Sequence, residues 1–595
     1  MQTLNDVHQQ FAEYFAVPDL KPYAWLLSKK LGEGHICLHL DKIGELPATL
    51  PAGYSLPSPG AGRLKNSPLV ATNGRDDAPF VLSGNRLYLQ RYFRYETLFL
   101  DRMYAFLDTE KSLLPERLAL LEKHTDLIGQ LFAPPAETVA GDETTDWQLA
   151  AAITGVLNNF TIITGGPGTG KTTTVAKILS ILYATEPSLK VALAAPTGKA
   201  AARMAESLRH TKLELNPSTI HRLLKWERDT PYFRHNRANP LRYDVVIIDE
   251  CSMIDVALFA KLLDAIGPGT RLILLGDKDQ LASVEAGSLF GDLCQSQEKM
   301  NFFSEERRLL INSFIAVKER QIPAQYTSPA NNHPLFQHLV ELRRSHRFTG
   351  NKGIGRFSKA VINNDVGVLE SFLQPGADEQ VVIDDAYDDA LFEKFISGYD
   401  AFIAEPDIHT ALQKMNNLRV LCAVRDGAQG LYAVNKRIEK YLHDKKRIKV
   451  NAAFYENRPV ILTRNYYEHG LFNGDTGIIR PDAHGQLMAW FEDSSGQLKQ
   501  VLPGYLTDAE TVFAMTIHKS QGSEFNEVLV VLPKQTDTAL LTRELLYTAV
   551  TRARQKVYVQ ASEAGVLMAA QRFVERASGI AYRLGANESG TFSTI

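Results

Sequence analysis

The sequence predicts an α/β protein of two lobes, with a small β insertion in the second lobe and a separate α+β unit at the N-terminus. Three observations carry this. From about 146 to 295 apolar strands ("FTIITG", "VALAAPTG", "YDVVIIDE", "RLILLGD") alternate with helical stretches, the pattern of a parallel sheet covered by helices. From about 335 the alternation resumes, with strands at "LRVLCAV" and "EVLVVL". Residues 455–510 interrupt it with short strands broken by Gly, Asn and Asp turns ("RPVILTRN", "GDTGIIRP", "GQLMAWFED"), as in a small β-barrel.

At 595 residues the chain exceeds one core, and roughly 150 residues per domain suggests about four domains. Residues 1–115 form the first unit: a helical start, then "LSKKLGEGHICLHL" and two strands turning at Ser83-Gly84-Asn85. Nothing catalytic is visible there, so docking or scaffolding is expected. The first lobe spans 116–334, its last stretch (296–334) polar and poorly patterned like a linker. The second lobe takes 335–454 and 511–595, around the insertion at 455–510.

The 65 basic and 68 acidic residues give a net charge of -3, so a nucleic acid must be held by a local basic surface. Cys37, Cys251, Cys294 and Cys422 form no CxxC pair and read as small core residues in a reducing compartment. "MQTLNDVHQQFAEYF" lacks the apolar core of a signal peptide, and no run approaches the roughly 18 apolar residues of a membrane span. A cytoplasmic protein without a membrane partner is expected.

"ITGGPGTGKTTTVAKIL" sets Gly165, Gly166, Pro167, Gly168, Thr169, Gly170, Lys171, Thr172 and Thr173 between a strand and a helix. Glycines let backbone N–H groups approach phosphates, and the helix N-terminus adds its dipole. Lys171 would reach the β/γ-phosphates of ATP, and the Thr172 hydroxyl would bind Mg²⁺. "YDVVIIDE" carries Asp249 and Glu250 to a strand end, Asp249 suited to Mg²⁺ and Glu250 to polarising the attacking water. In "LILLGDKDQLASVEAG", Gln280 follows a third strand as a γ-phosphate sensor, and in "DWQLAAAI" Gln148 is set to read an adenine edge.

The second lobe has no phosphate loop but supplies arginines, in "ELRRSHRF" and "TRELLYTAVTRAR". Phosphoryl transfer gains most from positioned cations, and Arg347 and Arg552 are selected over Arg543 and Arg554. A nucleotide clamped between lobes turns hydrolysis into cleft motion. Candidate contacts to the phosphates of a polymer are Pro196, Thr197 and Lys199 in "APTGKAAARM" and Thr219 and His221 in "STIHRLL". "TIHKSQGSEF" adds Thr516, His518, Lys519 and Ser520 for the polymer, Gly522 and Glu524 for the nucleotide, and Gln521 to couple them.

In order, these motifs resemble those of superfamily 1 helicases, and within them the RecD family, alpha subunits of exodeoxyribonuclease V (the RecBCD enzyme). The resemblance covers nearly the whole chain, including "GEGHICLHL" and "GLFNGDTGI" outside the motor motifs. It implies an ATP-dependent motor moving 5′ to 3′ on single-stranded DNA, entering at DNA ends, in a complex that repairs double-strand breaks. It also implies two RecA-like lobes, an SH3-like insertion, and an N-terminal domain docking onto a RecC-like subunit, with cutting left to a RecB-like subunit. A nuclease site on this chain would need clustered acids with a lysine. Asp384, Asp385, Asp388 and Asp389 in "VVIDDAYDDALFEKF" read instead as a negatively charged helix start. The basic run "NKRIEKYLHDKKRIKV" (435–450) could touch DNA or a partner, or be a solvated face. A stand-alone helicase of the same branch and a regulatory subunit using ATP as a switch are the competing readings.

Overall fold

The computed structural model describes residues 6–586 except 46–49, 56–59, 63, 73–77, 134–143, 210–214, 228–229, 298, 329–331, 349–351, 375, 494–495 and 536–538. The N-terminal unit is a four-stranded sheet of β1 (Cys37–His39), β2 (Val70–Ala71), β3 (Phe80–Ser83) and β4 (Arg86–Leu89), in the order β1-β4-β3-β2. β3 and β4 pair antiparallel around Gly84, whose φ of 56° suits a tight hairpin. Trp25, Leu26 and Phe80 fill the core beneath.

The helix Gln90–Glu122 then runs 33 residues straight through the boundary expected at 115. Its apolar stripe explains this: Phe99, Met103 and Phe106 are buried in the core of the first lobe, Phe99 meeting Phe259 of the helix Val256–Asp264 edge-to-face at 5.5 Å. No break can fall where one helix serves both cores.

That sheet holds β5 (Phe160–Gly165), β6 (Val191–Ala195), β7 (Ser218–Thr219), β8 (Val245–Ile248), β9 (Arg271–Gly276) and β10 (Leu339–Leu342), all parallel, in the order β10-β5-β9-β8-β6-β7. β5, β8 and β9 are buried throughout, as helices on both faces require. Two expectations are corrected here. Residues 296–334 are no loose linker: Phe303, Ile311, Phe314 and Ile322 are buried in this lobe's core. And β10, expected to open the second lobe, pairs with β5 (Leu339 opposite Ile162), so the first sheet extends to 342.

The second parallel sheet begins with β11 (Val381–Asp384) and β12 (Leu418–Cys422). An antiparallel sheet follows: β13 (Pro459–Leu462), β14 (Thr476–Pro481), β15 (Leu487–Glu492), β16 (Leu498–Val501) and β17 (Ala509–Thr511), in the order β16-β15-β14-β13-β17. It has its own core of Val460, Ile479 and Phe491. β18 (Ala514–Thr516), β19 (Phe525–Val531) and β20 (Ala553–Gln560) complete the parallel sheet, in the order β11-β20-β19-β12-β18.

The C-terminal segment departs from the second lobe, to which 511–595 was assigned. Past the helix Glu563–Gln571 it crosses to the N-terminal unit, where the Ile36 N–H donates to the Ala577 carbonyl at 3.0 Å. The Gly579 N–H donates to buried Glu96 at 2.7 Å, and Ile580 and Leu584 are buried in the cluster that contains Phe99. All four cysteines are free and buried, as expected of core residues. Among the described residues no helix is long and apolar enough to cross a membrane.

Candidate functional site

β5 delivers the phosphate loop to the helix Lys171–Thr185. Gly168 and Gly170 sit at φ 78° and 85°, a region costly for other residues. A side chain would also clash, at Gly168 with Arg347 and at Gly170 with Gln148. The Lys171 ammonium donates to the carbonyls of Gly165 (2.6 Å) and Gly166 (3.4 Å), so it lies folded over the loop. The Gln148 amide donates to the Thr169 carbonyl at 3.1 Å and lies 3.3 Å from the His346 ring, which sets it beside the loop.

Asp249 and Glu250 follow β8 into the same cleft. Glu250 adopts a left-handed φ of 54°, and its N–H donates to the Asp249 carboxylate at 2.8 Å. Burial, reinforced by the Glu250 charge and opposed by Lys171, lifts the Asp249 carboxyl to about 6. After β9, Asp277 is likewise raised to about 6 by burial, and accepts from Gln280 (2.8 Å) and from the Tyr547 hydroxyl (3.1 Å). The Gln280 carbonyl oxygen is buried without a hydrogen-bond partner.

Arg347 corrects the expected layout. Because β10 belongs to the first sheet, Arg347 leaves the strand next to the phosphate loop rather than facing it from the second lobe. Its loop grips that motif: the His346 N–H donates to the Gly168 carbonyl (2.7 Å), and the Ser345 hydroxyl to Pro167 (3.1 Å). Arg552 does come from the second lobe. It is buried, donating to the Thr548 (3.2 Å) and Ser523 (3.2 Å) carbonyls. Lys171, Thr172, Thr173, Asp249, Glu250, Gln280, Arg347, Glu524 and Arg552 together line one cleft of about 470 Å³.

Glu524 is the hub of that cleft. It pairs with Arg203, with Arg347 at 2.6 Å and with Arg554 at 3.0 Å. Burial alone would raise its carboxyl, but Arg203 and Arg347 outweigh this and hold it well below the usual range. Arg203, which sequence reasoning missed, stands inside the quoted "APTGKAAARM", a turn and a half along the helix Gly198–Leu208. Arg543 binds Glu544 and the Ile362 carbonyl, outside this cluster.

The lobes also meet at Leu281. Its N–H donates to the Thr548 hydroxyl (2.9 Å), and its carbonyl accepts from the Gln521 amide (2.7 Å). Gly522, buried at φ 70°, follows in the same loop.

The candidate DNA residues divide. Pro196 and Thr197 follow the end of β6 and Thr219 ends β7, the two strands being neighbours. Both threonine hydroxyls cap helices, accepting from the Ala200 and Arg222 N–H groups at 3.2 Å. His221 is exposed, edge-to-face with Phe233. Lys199 is lowered to about 8, by burial first and then by the Arg419 charge. In the second lobe, Lys519 pairs with Glu510 at 2.9 Å and His518 is half-buried. Thr516 is buried, and Ser520 is fully buried with its hydroxyl donating to the Ile517 carbonyl (2.6 Å). Ser520 therefore cannot meet a DNA strand here: the tight turn His518–Ser520 points it inward.

The acidic stretch is only in part the helix start it was read as: Asp388 caps the helix Asp389–Ile396, whereas Asp384 ends β11 and accepts from the Asp388 N–H and from Gln560 at 2.9 Å each.

Comparison with known proteins agrees with this geometry. Residues 1–88 match the family described as "RecBCD enzyme subunit RecD, N-terminal domain". Residues 148–286 match an AAA domain, and 511–560 a UvrD-like helicase C-terminal domain. A RecBCD enzyme subunit RecD of Mycobacterium tuberculosis is 35% identical over 584 residues, covering 94% of this chain and 90% of that protein. Its counterpart in Haemophilus influenzae is 35% identical over 74% of this chain and 72% of its own. An ATP-dependent RecD2 DNA helicase of Deinococcus radiodurans is 30% identical over 77% of this chain but only 56% of its own length. The phosphate loop, the paired acids and the arginine cleft thus sit in a chain that belongs to the family of the RecBCD enzyme subunit RecD.

Proposed function

We propose that this chain is the ATP-dependent 5′-to-3′ single-stranded-DNA translocase and helicase subunit of a RecBCD-type complex that processes double-strand breaks. In this reading the two parallel sheets are RecA-like lobes and the antiparallel sheet is an SH3-like insertion. The N-terminal unit docks on a RecC-like subunit, a RecB-like subunit cuts, and the complex works on DNA ends in the cytoplasm. The observation that carries it is the segment 516–524, which runs from the candidate DNA surface at His518 and Lys519, through the Gln521–Leu281 bond, to Glu524 in the nucleotide cleft. One short loop spans fuel and track.

Lys171 binds the β/γ-phosphates of ATP, and Glu250 orients and deprotonates the attacking water. The Thr172 hydroxyl and the Asp249 carboxylate, both hard oxygen donors lining the cleft, suit Mg²⁺ carried in on the phosphates. Held there, Mg²⁺ would supply charge neutralisation for the transferring phosphoryl group. Arg552 adds positive charge from the opposite side and Arg347 from beside the phosphate loop, Arg347 leaving Glu524 as the γ-phosphate competes for it. Its second guanidinium nitrogen, buried and unpartnered, favours that exchange.

Unwinding of duplexes with a 5′ or a 3′ overhang tests the reading. Opening only from the 3′ overhang would sink the polarity, and DNA-stimulated hydrolysis by Lys171→Gln would sink the site. A stand-alone helicase is less favoured because residues 1–88 match the N-terminal domain of the RecBCD enzyme subunit RecD.

A further inference from the structure

We propose that the outer face of the helix Leu431–Asp444 and the turn after it bind the phosphate backbone of single-stranded DNA outside the cleft, lengthening the track. This rests on the helicase reading above. The helix buries Leu431, Val434, Asn435, Ile438 and Leu442, and turns Tyr432, Lys436, Lys440 and His443 outward. In the turn, Ile448 is anchored in the core while Lys445, Lys446 and Lys449 stand exposed. The neighbouring arginines are already engaged, Arg437 with Asp389 (2.6 Å) and Arg447 with Asp400 (3.0 Å). No ion pair of Lys436, Lys440, Lys446 or Lys449 occurs among the described residues. Of the acids on this helix, Glu439 faces inward to the Tyr455 hydroxyl (2.6 Å), leaving Asp444 as the exposed one. In a chain of net charge -3, a row of unpaired lysines is a local basic surface.

The row is continuous with the candidate DNA surface. The Asn435 side-chain amide accepts from the Ala514 N–H (2.8 Å) and donates to the Ala514 carbonyl (3.1 Å), fixing the helix to β18, which leads into His518 and Lys519. At the helix's first turn the Tyr432 hydroxyl accepts from Arg425 (3.0 Å). Arg425 and Lys519 share Glu510, at 3.7 and 2.9 Å. From there the helix carries the lysines outward over about 21 Å. A flexible polyanion leaving the Lys519 end meets them in sequence, which favours DNA over a protein partner.

The test is fluorescence anisotropy of the full chain with oligothymidines of about 8 and about 25 nucleotides, against salt. Lys436→Gln/Lys440→Gln/Lys446→Gln/Lys449→Gln is expected to cut the salt slope for the long oligomer by about 3, at roughly 0.7 per phosphate contact on single strands. Binding of the short oligomer and the ATPase that it stimulates should be unchanged, and the four-arginine variant should keep the parent's slope. An unchanged slope with the long oligomer overturns the proposal. So does an unchanged slope with lost co-purification of partner subunits, which would make the face a protein interface. An equal slope change on untailed duplex would overturn the single-strand assignment. If the short oligomer fails to stimulate the parent's ATPase, the helicase reading itself falls, and the proposal with it.

Discussion

The side-chain amide of Gln521 donates to the backbone carbonyl of Leu281 at 2.7 Å, a buried bond between the second lobe's candidate DNA loop and the segment that carries Gln280. Thr548 holds the N–H of the same residue. A movement of either lobe therefore reaches Gln280, the proposed γ-phosphate sensor, within one residue.

Gln521→Ala should uncouple the two ligands. It leaves the Leu281 carbonyl buried and unpaired, a cost of about 1–3 kcal/mol. DNA stimulation of ATP hydrolysis is expected to fall roughly 5- to 150-fold, the size of a coupling energy of about 1–3 kcal/mol. Steady-state ATPase with and without oligonucleotide checks this, and full stimulation would rule the bond out as the coupling element.

Glu524→Gln should release the arginine cluster. Breaking a buried charge network costs about 3 kcal/mol, read as a lower melting temperature. Because the Glu524 carboxyl is depressed in the folded state, its stabilisation is present above the ordinary carboxylate range, about 4.3, and is lost as pH falls towards the folded value. From pH 5 to 9 parent and variant should run parallel. Below about pH 4 the parent should lose up to about 1.4 kcal/mol per pH unit that the variant does not. Urea melts across that range decide.

The parts of this site legible in sequence are those built by contiguous residues. Gly168, Gly170, Lys171 and Thr172 are fixed by a strand, a turn and a helix start next to one another, and Asp249 by the end of β8. The misassigned parts depend on distant pairings. A strand as short as Leu339–Leu342 fits the edge of either sheet, and its choice of β5 moved Arg347 to the first lobe. Arg203 gained a role only through Glu524, 321 positions on, a distance no local pattern spans. Ser520 erred the other way, since a polar residue in a crowded loop reads as exposed until the turn is seen to bury it.

Lys199 should make DNA binding pH-dependent. It is lowered to about 8 by burial and by Arg419, with Arg203 adding to this and Asp475 of the β insertion opposing it. Its half-buried charge costs stability below about pH 8, and stability rises as pH climbs from there towards the ordinary lysine value of about 10.4. DNA phosphate favours the charged form, so affinity has the opposite trend: greatest below pH 8 and falling above it, by up to about tenfold per pH unit. Anisotropy titrations from pH 7 to 9 check this. Lys199→Arg should flatten the profile, and an equally steep profile in that variant would assign the dependence elsewhere.

The crossing of the C-terminal segment predicts a stability effect remote from catalysis. Ile580 and Leu584 are fully buried in the cluster that also holds Phe99 of the long helix, and Arg583 lies 3.4 Å from the buried Glu96 carboxylate. Leu584→Ala removes packing that the rigid helix cannot close over, at a cost of about 2–5 kcal/mol. The nucleotide cleft shares none of these residues, so ATPase measured well below the melting temperature should stay within about twofold of the parent, as is usual for distant, independent sites. Thermal melts and limited proteolysis read the outcome: an earlier transition, with cleavage appearing first near 572–586. A variant that melts like the parent would mean that the segment only lies against the N-terminal unit and does not hold it to the first lobe.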